Sequence, residues 1–312
     1  MTQDLDVDIC VIGAGSGGLS VAAGAVQMGA SAALVEKGKM GGDCLNYGCV
    51  PPQALLAAGH AAEAVRRARR FGITAPAATI DPAGVYGHVR DTIAAIAPVD
   101  SVERFEGMGV KVIQAQGRFS GRRTVTAGAV RITARRIVVA TGSSPFVPPI
   151  PGLDGVPCLT NETLFDLNAV PEHLVIIGGG PVGIEMAQAH RHLGARVTVL
   201  EMASILPNDD PELVGPLRRR LIEDGIDLRE GVTVTGVEKA DEGVAVAMTR
   251  DGAEGRIEGT HVLVAAGRRP TVEGLDLDQA GIDFDAKGIK VNDRLRTTNR
   301  RVYAVGDVAG RH

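Results

Sequence analysis

Residues 7–36 read VDICVIGAGSGGLSVAAGAVQMGASAALVE. Val7 to Ile12 is the short apolar run a buried parallel strand needs. It passes directly into a loop that places Gly13, Gly15 and Gly18 at dinucleotide-binding spacing. The first glycine permits a tight turn, the second lets backbone approach a pyrophosphate, and the third lets a helix pack on the strand. The alanine-rich stretch that follows, to about Met28, reads as a helix whose N-terminus attracts phosphate charge. Gly29 ends it, and Ser31 to Val35 reads as a second strand closing on Glu36, an acceptor for ribose hydroxyls. The competing reading is a glycine-rich turn that holds no ligand.

The same unit returns at residues 174–201, LVIIGGGPVGIEMAQAHRHLGARVTVLE. Gly178, Gly180, Gly183 and Glu201 take the same places, and in both copies the acid lies 18 positions after the third glycine. Two copies of one nucleotide-binding unit imply two nucleotides. The expected fold class is therefore α/β, with two Rossmann-like dinucleotide-binding domains. A carboxylate at Glu201 suits a free ribose hydroxyl and repels a 2′-phosphate, and residues 202–208 contain no arginine or lysine. NAD(H) is thus expected over NADP(H). Glu201 as a merely solvated strand end is the bland alternative.

A chain of 312 residues is long for one core, so two domains are expected. The net charge of −4 has both signs spread along the chain, which argues against a nucleic-acid partner. Arg66, Arg67, Arg69 and Arg70 read as the solvated face of a helix. The acidic start, MTQDLDVD, does not read as a signal peptide, and no apolar run suits a membrane helix, so a cytoplasmic location is expected.

Between the two glycine loops, helices are expected over about 51–71 and 82–106, short strands with glycine turns over 110–132, and a buried strand at 137–140. The proline-rich stretch 145–151 reads as a hinge, and 302–305 as a last strand leading into Gly306-Asp307. Of four cysteines, Cys10 lies in an apolar run and Cys158 stands alone. Cys44 and Cys49 lie close together in GGDCLNYGCVPP, at the approach to a helix. Helix N-terminal character stabilises a thiolate, and a short distorted segment can close such a pair into a disulfide. Redox chemistry and two inert thiols both remain open on residue chemistry alone.

Six segments in order now carry a more specific resemblance: VIGAGSGG, GGDCLNYGCVP, IVVATGSSP, GGGPVGIEMA, VLVAAGRRP and VYAVGDVAG. Together they resemble the class I pyridine nucleotide–disulfide oxidoreductases, which include dihydrolipoamide dehydrogenase, mercuric reductase and glutathione reductase. The resemblance implies an FAD domain over 1–148 and 277–312, with an NAD(H) domain over 149–276 inserted into it. It implies that Gly13, Gly15, Gly18, Glu36, Gly42, Gly117, Thr141, Gly142 and Asp307 serve FAD. Gly178, Gly180, Gly183, Glu201 and Gly267 would serve NAD(H). Cys49 would be the thiol beside the flavin and Cys44 the exchange thiol facing a small disulfide, dithiol or other electron acceptor. Glu185 would lie near the junction of flavin and nicotinamide.

Two departures qualify that expectation. The family pattern after the second cysteine is Val-Pro-Ser-Lys, whereas this chain has Val50-Pro51-Pro52-Gln53. Gln53 donates hydrogen bonds but carries no charge, so reduction of the flavin is expected to be weaker and Glu185 to lack its usual cation. The chain also ends just after GDVAG, so the dimerisation domain of the homodimeric relatives, with its catalytic histidine, is expected to be missing. His312 is the last residue and is not assigned that role; His60, His88, His173, His190, His192 and His261 match no catalytic position, and read as surface or satisfied core residues. The alternatives to a disulfide or dithiol oxidoreductase are an NADH diaphorase, which needs no cysteines, and a folded but incomplete nucleotide-binding fragment.

Overall fold

The computed structural model describes residues 3–310. From the N-terminus, β1 (Gln3–Ile12), α1 (Ser16–Gln27) and β2 (Ala32–Glu36) form the first βαβ turn. After the π-helical turn Cys44–Gly48 come α2 (Val50–Arg67), α3 (Pro82–Ile96) and α4 (Val102–Gly107). The helix expected over 82–106 is therefore broken. Pro98 sits in a 3-10 turn at Ala97–Asp100, and the Ser101 hydroxyl caps α4 by accepting from the Arg104 amide at 3.2 Å. Strands β3 (Lys111–Gln114), β4 (Gly117–Gly121), β5 (Thr124–Ala127), β6 (Val130–Val139) and β7 (Ser143–Pro145) follow.

The second βαβ turn comes after the short β8 (Cys158–Leu159) and consists of β9 (His173–Ile177), α5 (Pro181–His192) and β10 (Arg196–Glu201). Then come α6 (Pro211–Glu223), β11 (Asp227–Glu230), β12 (Thr233–Ala240), β13 (Gly243–Arg250), β14 (Ala253–Gly259) and β15 (His261–Val264). The chain closes with β16 (Arg268–Pro270), α7 (Leu277–Ala280), β17 (Phe284–Asp285), β18 (Gly288–Ile289) and β19 (Val302–Ala304).

These elements group into two compact units. The first takes the chain up to Asn46, Ile93–Ser144 and everything from Arg268 onward; the second takes Tyr47–Thr92 and Pro145–Gly267. The divisions differ from the sequence expectation chiefly because residues 47–92 cluster with the second unit. The reason is local: α2 lies so close to α5 that a Cβ on Gly59 would sit 3.1 Å from the Ala189 carbonyl oxygen.

In the first unit the sheet order is β3-β2-β1-β6-β5-β4, with β19 pairing parallel to β6. Both faces of its parallel part are covered. Val11, Leu34 and Val138 pack with Leu19, Ala22 and Phe105 on one side. Their neighbours Cys10, Ile12, Val35 and Val139 pack with Phe119, Leu275 and Val308 on the other. In the second unit β11-β10-β9-β15-β8 are all parallel, and β12-β13-β14 form a separate antiparallel sheet. Among the described residues no helix is long and apolar enough to cross a membrane.

Candidate functional site

At the end of β1 the backbone of Gly13 has φ +107°, and a Cβ there would lie 2.3 Å from the Ala140 carbonyl oxygen. A Cβ on Gly18 would lie 1.8 Å from the Gly13 oxygen. Both positions accept only glycine, for backbone contact rather than flexibility. Gly15 is different: it is the N-cap of α1, makes no side-chain cap, and meets nothing closer than the Cα of Gly42 at 3.9 Å. The first-turn amides of α1 therefore face an opening with no acidic residue in that turn, the geometry a phosphate requires. Gly42, with φ +56°, brings its own backbone over this opening; a Cβ on it would strike the Gly15 Cα at 2.6 Å.

The second loop repeats the design. Gly178 has φ +116° and would place a Cβ 2.3 Å from the Ala265 oxygen; a Cβ on Gly183 would meet the Gly178 oxygen at 2.1 Å. Gly180 caps α5 with nothing within 4 Å of its missing side chain. Each strand-end acid ties back to its own loop. Glu36 accepts from the amides of Ala14 at 2.6 Å and Gly38 at 2.7 Å. Glu201 accepts from Gly179 at 2.6 Å and Ala203 at 2.8 Å. Both cradles thus have the open second glycine, the cap-free helix and the oriented acid that fit a dinucleotide.

The other expected contacts are placed as follows. Thr141 donates its hydroxyl to the Thr271 carbonyl at 2.7 Å, while Gly142, with φ +64°, faces open space. Gly117 is buried at the start of β4, where a Cβ would press on the side chains of Val35 and Ile12 at 3.0 and 3.2 Å. Gly267 has φ +121° and its carbonyl accepts from Phe146 at 2.9 Å. Asp307 accepts from the Ser143 hydroxyl at 2.6 Å.

Sequence reasoning missed Arg268. Its guanidinium donates to the Ser143 hydroxyl at 2.7 Å and the Ser143 carbonyl at 2.9 Å, pairs with Asp43 at 3.0 Å, and lies 3.8 Å from Asp307. One side chain therefore links Asp307 to the residue immediately before Cys44. Its only signal was its place in VLVAAGRRP, directly after Gly267.

Cys44 opens the π-helical turn, a distorted segment of the expected kind. The Asn46 side chain holds this turn to the preceding loop by donating to the carbonyls of Met40 at 3.0 Å and Gly42 at 2.8 Å. Cys44 is half-buried, and Cys49 is exposed as the N-cap of α2. The first turn of α2 departs from the expected thiolate support. An N-cap side chain receives its hydrogen bonds from the second and third helical amides, and here those positions are Pro51 and Pro52, which have none. Gln53 is exposed one position further on, its amide donating to the Cys49 carbonyl at 3.2 Å. Glu185 is half-buried on α5, and burial raises its pKa above the usual carboxylate value. Burial also pushes the Cys10 thiol up to about 12, which keeps it an inert core residue.

The arginine stretch at the end of α2 needs correction. Arg66 pairs with Glu63 at 3.0 Å and donates to the His192 carbonyl, and Arg67 bridges Glu63 and Asp224, the latter at 2.7 Å. Only Arg69 and Arg70 fit the solvated-face reading. Arg220 and His192 also hold Asp224, at 2.8 and 3.2 Å. The oxygens of Glu63 and Asp224 come within metal-ligating range of His192, but three arginines already engage these carboxylates. His192 is not a satisfied core histidine either, since its buried Nδ1 has no hydrogen-bond partner among the described residues.

Known proteins resemble this chain over nearly its whole length. The family model described as pyridine nucleotide-disulphide oxidoreductase matches residues 7–312. A mercuric reductase of Bacillus cereus is 35% identical over 97% of this chain and 48% of its own length. A dihydrolipoyl dehydrogenase of Thermus scotoductus is 35% identical over 97% of this chain and 66% of its own. The chain thus spans about half to two thirds of the curated relatives it matches. Among solved structures, the HOCl-induced flavoprotein disulfide reductase RclA of Escherichia coli superposes with a TM-score of 0.85. It is 27% identical, covering 98% of this chain and 67% of its own.

Proposed function

Because this chain belongs to the pyridine nucleotide-disulphide oxidoreductase family, we propose that it is an FAD-dependent, NADH-linked disulfide or dithiol oxidoreductase. In this reading it works through Cys44 and Cys49, as a relative of the dihydrolipoyl dehydrogenases and mercuric reductases. The observation that carries the proposal is the position of Gly42. Its backbone lies against Gly15 of the first phosphate cradle, and Cys44 follows two residues later. The cysteine segment is thereby attached to the first nucleotide site.

The first unit would hold FAD through the α1 amides, Gly13, Gly15, Gly18, Glu36, Gly42 and Asp307; the second would hold NAD(H) through Gly178, Gly180, Gly183, Glu201 and Gly267. The bound flavin and nicotinamide would supply hydride chemistry. The chain's own residues account for exchange with a small disulfide. The Cys44 thiolate attacks one sulfur and releases one thiol, and the Cys49 thiolate then attacks the Cys44 sulfur of the mixed disulfide and expels the second thiol. That leaves a Cys44–Cys49 disulfide and a second released thiol. NADH is favoured by Glu201. It is favoured also because Arg218, which shares Glu230 with the backbone of the 202–208 loop, is held bidentate by that acid at 2.9 Å and 2.9 Å and is not offered to a 2′-phosphate.

A second reading, an NADH diaphorase, draws on the two prolines that remove the second and third helical amides after Cys49 and on the uncharged Gln53. Anaerobic NADH titration of the purified, flavin-loaded protein tests both. Under the disulfide reading, NADH bleaches the flavin and a long-wavelength band appears that Cys49→Ser abolishes; a small disulfide is then turned over only with both cysteines present. Dye reduction that survives Cys44→Ser/Cys49→Ser, with no disulfide turnover by the parent, would replace it with the diaphorase. A protein that binds no flavin would refute both.

A further inference from the structure

Two arginine pairs far apart in sequence, Arg122-Arg123 and Arg300-Arg301, meet in the first unit. With Thr298 and Asn299 they line a cavity of about 370 Å³. Arg122 and Arg123 form the turn from β4 to β5, and Arg301 immediately precedes β19. Both segments are fastened to β6: the Arg123 carbonyl accepts from Ala134 at 3.1 Å and the Arg301 carbonyl from Ile137 at 3.0 Å.

Asn299 joins them. It is 3% exposed, donates its side-chain amide to the carbonyls of Arg122 at 3.0 Å and Ala280 at 2.8 Å, and accepts from the Arg301 amide at 3.0 Å. The backbones carrying the four guanidiniums are thus set by a buried amide, while all four side chains reach solvent. No carboxylate lines the cavity, and among the described residues none of these four arginines forms an ion pair. A concavity lined by charge of one sign focuses its field on a counter-ion.

The position separates this cavity from the nucleotide cradle of the same unit. Arg301 stands at the amino end of β19, whereas Asp307 lies beyond its carboxyl end, on the side where β1 delivers Gly13 and β6 delivers Thr141. The lining also selects a ligand. Guanidinium forks match phosphoryl oxygens two at a time, and the lining has no aromatic or large apolar side chain on which a base could stack. At about 30 Å³ for each water's share, the volume has room for a chain of several phosphoryl groups. We propose that this cavity is a second anion site, which binds a di- or triphosphate chain independently of the two glycine loops.

The test is isothermal titration of the full chain with inorganic tripolyphosphate at low salt. Saturable binding is expected in the parent. It should weaken at least tenfold in Arg122→Gln/Arg301→Gln and equally in Arg123→Gln/Arg300→Gln. A control pair elsewhere, Arg69→Gln/Arg70→Gln, should stay within twofold of the parent. Unchanged melting temperatures would show that each variant is folded. A parallel titration with ATP distinguishes the sources: equal arginine-dependent affinity means that only the phosphate chain is read, and tighter binding means that a nucleoside is read too. Three results would each overturn the proposal: no saturable binding by the parent, undiminished binding in both cavity variants, or an equal loss in the control pair.

Discussion

The amide of Ala14 donates to the Glu36 carboxylate at 2.6 Å, and the amide of Gly179 donates to Glu201 at the same distance. Each acid therefore holds its glycine loop in shape, a duty separate from the ribose contact proposed for it. A hydrogen bond to a charged acceptor contributes about 1.5–3 kcal/mol, so Glu36→Ala and Glu201→Ala should each cost about 2 kcal/mol of stability. Glu201→Gln separates the two duties, since it keeps an acceptor but removes the charge. It should retain most of the stability while the preference for NADH over NADPH narrows about tenfold, the equivalent of about 1.4 kcal/mol. Comparison of the two kcat/KM values for dye reduction, beside a denaturation curve, checks both halves. A Gln variant with an unaltered coenzyme ratio would show that the charge does not select the coenzyme.

Arg268 gives the next expectation. Arg268→Met should release Asp43 and remove a charged donor beside Ser143 and Asp307. Flavin retention should fall about tenfold, while the melting temperature falls by only a few degrees, because the side chain is partly exposed and its ion pairs are screened. Equilibrium dialysis of flavin reads this directly. Retention equal to that of the parent would mean that Asp307 does not need Arg268.

His190 sets a pH dependence. It is fully buried, its Nδ1 and Nε2 meet the Met186 carbonyl at 2.8 Å and the Tyr86 hydroxyl at 3.2 Å, and burial lowers its pKa to about 4. The unfolded chain binds this proton at about pH 6.5, so between pH 6.5 and 4 the unfolded state carries more protons than the folded one. Stability must then fall as pH falls through that window, by about 3 kcal/mol from this residue alone. His190→Gln should flatten that segment of the stability–pH curve, whatever its absolute stability. A parallel curve with the parent's slope would assign the acid sensitivity to other groups.

The two glycine loops were legible because Gly13, Gly18, Gly178 and Gly183 answer to backbone contacts that local spacing encodes. The alternating strands around them were legible for the same reason. What escaped depends on partners distant in sequence. Arg67 read as solvated because Asp224, 157 positions away at the end of α6, is brought to it only by tertiary packing. Arg268 was silent because its partners Asp43, Ser143 and Asp307 come from three separate segments. The helix expected over 82–106 is broken because Pro98 turns the chain through a 3-10 segment and α4 restarts after Ser101. At Gly117 a Cβ would press on Val35 and Ile12, so packing favours glycine there whether or not its backbone meets a ligand.

Pro52 offers the sharpest local test. The first turn of α2 has prolines at its second and third positions, so a thiolate on Cys49 receives neither of the amides that an N-cap group ordinarily uses. Pro52→Ser restores one of them without touching the cysteine. Helix N-termini stabilise an adjacent anion by about 0.3–1 kcal/mol, so alkylation of Cys49 by iodoacetamide at pH 7 should quicken by about two- to fivefold. Cys44, which opens the π-helical turn, should react as before, and peptide mapping resolves the two sites. Disulfide turnover should rise with the alkylation rate if Cys49 chemistry limits it, and stay constant if exchange at Cys44 does. An unchanged alkylation rate at Cys49 would mean that the restored amide does not reach the sulfur, and that the prolines do not account for its reactivity.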